Sequence, residues 1–115
     1  MKTTDLRAVE TRALRARKTE LISEFPPIDE VLRGSLIERF LRCGKPGCKC
    51  AAGRGHGPKR YLSISHPRSR PEMIYVPEPW RKQVDACIKN FANVRAALEE
   101  IGAINAELIR RREEL

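Results

Sequence analysis

Apolar positions follow three different patterns along this chain, and each pattern predicts a different element. Near the N-terminus, Leu6, Val9 and Ala13 recur at i, i+3 and i+7, and Leu14, Leu21, Ile22 and Phe25 continue a stripe that drifts around the axis. That spacing predicts a helix over 4–25. Thr3, Thr4 or Asp5 offers its cap, and Pro26–Pro27 stops it, because a residue before proline is pushed out of the α region. Arg7, Arg12, Arg15, Arg17 and Lys18 lie off the stripe and are offset by Glu10, Glu20 and Glu24, which reads as a solvated face.

The middle of the chain has no single clear period. Residues 28–42 are ambiguous, since Leu36, Ile37, Phe40 and Leu41 fall at i, i+1, i+4 and i+5, as a helix would have them. With Val31–Leu32 ahead of Gly34, a helix-turn-helix is one reading. The run ends at Cys43, however, and a metal-chelating knuckle commonly hangs from a strand end. Arg60–Ser65 reads as a return strand and Met73–Val76 as a third, joined by the turn sequence HPRSRP. The expectation is a three-stranded antiparallel meander with the cysteine loop between its first two strands.

The C-terminal third has the clearest period. Val84, Cys87, Phe91, Val94, Leu98, Ile101, Asn105, Leu108, Arg112 and Leu115 alternate steps of three and four without a slip. A heptad register sustained this long predicts a coiled-coil helix over 79–115, opened by Pro79 in its first turn and widened by Ile88, Ile104 and Ile109. Asn105 at an a-type position sets register and strand number. The stripe has two uses, packing on helix 4–25 within the chain and joining two chains, and both are expected, making the protein a homodimer. Trp80 is expected to anchor against the sheet. The fold class is therefore α+β, in one domain over 1–115: helix 4–25, a small sheet with its knuckle over 33–77, and the long helix.

Charge changes the picture once it is divided along the chain. Residues 1–32 balance at six basic and six acidic, residues 72–115 carry seven against eight, and residues 33–71 carry ten basic residues against Glu38 alone. The whole excess of +8 thus comes from the middle segment. A one-sided block of this kind points to an anionic partner, nucleic acid first and duplex DNA ahead of RNA. Lys45, Lys49, Arg54, Lys59, Arg60, Arg68 and Arg70 are the candidate phosphate contacts. A basic loop that meets an acidic protein is the plainer alternative.

The same segment holds the candidate chemistry. Cys43, Cys48, Cys50 and His56 fall within CGKPGCKCAAGRGH, and five of the seven glycines lie between Gly44 and Gly57. Three soft donors and an imidazole so close together predict one structural zinc per chain. Idle thiols or a disulfide are the alternatives, with Cys87 and His66 as reserve ligands. The first ten residues have no apolar core or cleavage site, and no run approaches a membrane span. A cytoplasmic chain is expected, nucleoid-associated if it binds DNA, with reduced thiols that favour metal.

Gly34-Ser35-Leu36 leading through Glu38-Arg39-Phe40 into CGKPGCKCAAGRGHGP, then Tyr61-Leu62-Ser63 and Tyr75-Val76-Pro77, resembles a family of small prokaryotic proteins of unknown function. Its members are often encoded beside transposases, so the resemblance implies a mobile-element context and no mechanism. Relatives often carry aromatic residues after HGP, where this chain has Lys59-Arg60 before Tyr61.

No Ser-His-Asp set or phosphate-binding glycine loop is present, and two-metal chemistry needs several carboxylates. The expected function is a non-enzymatic, zinc-stapled nucleic-acid-binding accessory or regulator of a mobile element. The competing class is a protein–protein adaptor that docks through its coiled coil, with a purely structural knuckle and a transposase or other protein as partner.

Overall fold

A computed structural model describes residues 3–41, 47, 53 and 55–115. In chain order it contains a 3₁₀ helix at Thr3–Ala8, helix α1 at Thr11–Ser23, strands β1 at Ser35–Leu41, β2 at His56–Ile64 and β3 at Glu72–Val76, a 3₁₀ turn at Glu78–Trp80 and helix α2 at Arg81–Arg110. The α+β class, the N-terminal helix, the three-stranded sheet and the long last helix are as expected. No helix is long and apolar enough to cross a membrane. The chain divides into two compact units, residues 1–30 with 90–115 and residues 31–89. Helix α2 contributes its first nine residues to the second unit and the remainder to the first.

The first unit is an antiparallel helical hairpin. Leu14 and Leu21, one i,i+7 step apart on α1, are buried with Ile104 and Leu108 of α2, and Val9, Ala97, Ile101 and Ala103 pack around them. Fully burying a side chain such as Leu14 or Ile104 is worth about 1.5–3 kcal/mol. The expected helix 4–25 is broken at Val9–Glu10, where Glu10 is extended (φ −63°, ψ 147°). Leu6, ahead of the break, is buried in the same cluster at 3% exposure.

A buried ion pair clamps that junction. Glu107 is 5% exposed and accepts from Arg111 Nε at 2.9 Å and Arg110 Nη1 at 3.1 Å. Arg111 also donates to the Leu6 carbonyl at 2.8 Å and to Thr11 Oγ1 at 3.1 Å, spanning the break between the 3₁₀ helix and α1. Farther along, Arg17 grips Glu100 with two bonds, 2.6 and 3.1 Å, and Lys18 Nζ donates to Asn105 Oδ1 at 2.8 Å.

The heptad pattern is used mainly within the chain. Ile104, expected at a flank, is a fully buried centre beside Leu108, whereas Leu98 is 55% exposed. Asn105 takes its partner from α1 of the same chain. The register also ends earlier than the sequence pattern does. Arg112 sits at φ +60°, Glu113 N–H donates to the Leu108 carbonyl and Arg112 N–H to that of Ile109. That pair of bonds is the Schellman close of a helix, and it leaves Arg112 and Leu115 outside α2.

In the second unit the strands pair in chain order β1-β2-β3, all antiparallel. Strand β2 runs four residues farther back than Arg60, its expected start. A proline inside a strand argues against strand, but here one residue of β1, Phe40, stands against Gly57 and Pro58, and the ladder resumes at Leu41 opposite His56. The bulge absorbs the proline. Gly57 has φ +144°, and a Cβ there would lie 2.7 Å from the Arg39 carbonyl oxygen. Gly34, at φ +145°, opens β1 under the same constraint, with Ser63 O at 2.7 Å. Leu62 and Val76 form the buried centre of this unit, and Leu32 N–H donates to the Cys87 carbonyl at 3.0 Å.

Candidate nucleic-acid interface

The division into units separates the charges. Residues 31–89 carry thirteen basic and four acidic residues, +9, while the helical unit carries ten basic and eleven acidic, −1. Within the basic unit, strand alternation sorts side chains onto two faces. Leu36, Glu38, Arg60, Leu62, Ile64, Ile74 and Val76 share one, and Ile37, Arg39, Lys59, Tyr61, Met73 and Tyr75 share the other.

The first face has its charges neutralised. The Arg60 side chain is 16% exposed and bonds Glu38 Oε1 at 3.1 Å, and its other terminal nitrogen bonds Glu78 Oε2. This predicted phosphate contact is thus held in a four-residue ion-pair cluster, which Arg81 completes with its Nε 3.3 Å from Glu78 Oε1. Glu38, the single acid of the basic block, is the cross-strand partner of Arg60.

The second face is different. Arg39 and Lys59 are cross-strand partners, both exposed, and among the described residues neither has an ion pair or a side-chain hydrogen bond. Like charges directly opposite each other weaken a sheet by roughly 0.2–1 kcal/mol, so this pairing is not there for the ladder. Beside it, Tyr61 and Tyr75 meet edge to face, with centroids 5.8 Å apart and planes at 67°. Tyr75 is 54% exposed.

The remaining candidates are spread along the sheet. Arg68 (φ +58°) and Arg70 lie exposed on the β2–β3 turn, at the end of the sheet away from His56. A strand the length of β2 separates the two ends by on the order of 25 Å. His66 belongs to the Arg68 end, where its Nε2 lies 3.0 Å from Glu72 Oε1. Arg33, which sequence reasoning did not single out, donates to the Ser65 carbonyl at 2.9 Å at the same end. Arg39 was missed too. Its signal was available only through register, because the sequence does not say that it faces Lys59.

Of the metal candidates, His56 is the first residue of β2 and pairs with Leu41. Cys43, Cys48 and Cys50 lie outside the described residues, as do Lys45, Lys49 and Arg54. Among the described residues no cluster of metal-ligating side chains occurs. Cys87 is a half-buried free thiol on α2. Trp80, expected as an anchor, is 59% exposed.

A family model for a domain of unknown function, DUF6788, matches residues 10–86, two thirds of the chain. The chain belongs to the DUF6788 family. The match takes in α1, all three strands and the start of α2, so the DUF6788 region includes α1 as well as the Gly34–Pro77 motifs that carry the sequence resemblance. Most of α2 lies past its end. No curated protein and no solved structure matches the chain.

Proposed function

We propose that this protein is a non-enzymatic nucleic-acid-binding module whose sheet unit makes the contact. One observation carries the reading: the uncompensated Arg39–Lys59 pair on an exposed sheet face, within a unit of net charge +9. A like-charged pair that weakens its own sheet is supported by a partner that supplies the missing anion, and a phosphate backbone does so. The preference for duplex DNA over RNA rests on charge alone, which all nucleic acids share. The resemblance adds a mobile-element setting, in which the module serves as an accessory or regulator.

The reading includes one structural zinc, held by Cys43, Cys48, Cys50 and His56. The Leu41–His56 pairing supports it. Cys43 follows Leu41, the partner of His56, by two residues in the sequence. A unit whose buried hydrophobic residues, among those described, are Leu62 and Val76 also has need of a staple. Bound zinc would offset two of the three thiolate charges and close the loop.

The adaptor reading is favoured by a separate observation. Ile22 lies one turn beyond Lys18 on α1, and Leu98 and Ile109 lie seven before and four after Asn105 on α2. The Lys18–Asn105 bond therefore marks one flank of the hairpin, on which Ile22, Leu98 and Ile109 are all more than half exposed. With a net charge of −1, the hairpin offers that flank to protein, and a second copy of this chain is the partner.

Electrophoretic titration of DNA and RNA, with and without chelator, alongside elemental analysis of protein purified without added metal, tests this reading. One zinc per chain and binding weakened by chelator are expected. No binding at low salt with metal in place would move the function to the adaptor class.

A further inference from the structure

We infer that the Tyr61–Tyr75 face binds single-stranded nucleic acid, with a base stacked on Tyr75 and the neighbouring phosphates on Arg39 and Lys59. The inference rests on the nucleic-acid reading above and names its substrate class. Three observations carry it. Tyr75 is 54% exposed at the edge strand of the sheet, and its ring is braced edge to face by Tyr61 at 5.8 Å. Lys59 lies one i,i+2 step from Tyr61, and Arg39 one such step from Ile37, the partner of Tyr61. The cations therefore stand roughly 6.6 Å along the strands from the aromatic row, on the same face.

The shape of the surface decides between duplex and single strand. A major groove about 12 Å wide admits a helix or a two-stranded ribbon. Three strands spaced at about 4.8 Å, with side chains on both edges, are too broad to enter it. On a duplex this face could only lie against the outer backbone, where bases are stacked within and offer no ring face to Tyr75. A single strand presents both its phosphates and its bases. The apolar residues flanking the rings, Ile37 and Met73, are partly exposed and extend the platform without adding charge.

The experiment compares a fluorescein-labelled twelve-nucleotide oligothymidine with a hairpin duplex of equal phosphate number, by anisotropy on the full chain. The wild-type protein should prefer the single strand. Tyr75→Leu keeps an apolar contact to Tyr61 but has no ring face, and should weaken single-strand binding about 5- to 150-fold, the range for one base–aromatic stack. Its salt slope should be unchanged, and Tyr75→Phe should retain affinity. Equal loss on both ligands, or no loss on either while Arg39→Ala still weakens binding, overturns the stacking site and leaves the electrostatic reading standing. Failure of the wild-type chain to bind either ligand overturns both.

Discussion

Arg39 and Lys59 face each other directly across β1 and β2 as two exposed cations that have no ion pair among the described residues, one register step from Glu38 and Arg60, which form an ion pair on the opposite face. Stability and binding should therefore respond in opposite directions at this position. Lys59→Glu turns a like-charged cross-strand pair into an opposite one and should raise thermal stability by up to about 1 kcal/mol. The same change should remove most nucleic-acid affinity. Parallel denaturation and binding curves check it, and a variant that loses both would mean that the pair serves the fold.

The hairpin unit should weaken in acid. The Arg111 hydrogen bond is the main cause that holds the Glu107 carboxyl below its usual pKa, and Arg17 does the same for Glu100. Carboxylates depressed by folding contribute stability that is complete above their unfolded pKa, about 4.3, and is lost as pH falls through the folded value. Denaturation midpoints should be level near neutrality and decline below about pH 4. Glu107→Gln should flatten that decline while lowering stability at pH 7, since it leaves Arg111 without its carboxylate.

Two positions, one within α2 and one just past its end, are set for gains. Arg112 occupies the left-handed close of the helix at φ +60°, a conformation that costs a side-chain-bearing residue about 1 kcal/mol. Arg112→Gly should return most of that. A Cβ on Gly102 would meet nothing within 4 Å, so Gly102→Ala should stabilise the helix by about 1 kcal/mol. Thermal melts of the two variants give the answer.

Self-association should run through the Leu98 flank. Leu98→Asp should leave the hairpin folded, since Leu98 is 55% exposed, and should dissociate the chains. Ile104→Ala, at the buried centre, should instead cost about 2–5 kcal/mol of stability. Sedimentation equilibrium distinguishes them, and a wild-type chain that is monomeric at tens of micromolar removes the dimer.

Much of the fold was legible from periodicity, and the misreadings share a cause. The meander was readable because Tyr61, Leu62, Ile64 and Met73–Val76 alternate between turn residues. The start of β2 was hidden by Pro58, which only a bulge accommodates. The heptads of α2 were real, but periodicity says that a face is apolar without saying what covers it. Here α1 covers it, with Ile104 at the centre and Leu98 outside. The candidate site was half legible. Net charge located the basic block, yet only strand register could show that Arg60 is neutralised while Arg39 and Lys59 are not.

The central claim, that the sheet unit binds nucleic acid through uncompensated cations, is tested most directly by filter binding across a salt series. The wild-type chain should give a falling line of log K against log salt. The double variant Arg39→Ala with Lys59→Ala should lower its slope by about 1.4–1.8, two lost phosphate contacts at about 0.7 each on a single strand or 0.9 on a duplex. Arg60→Ala, which removes an already paired guanidinium, should leave the slope as it was. A slope unchanged in the double variant, or binding that ignores salt, would contradict the account.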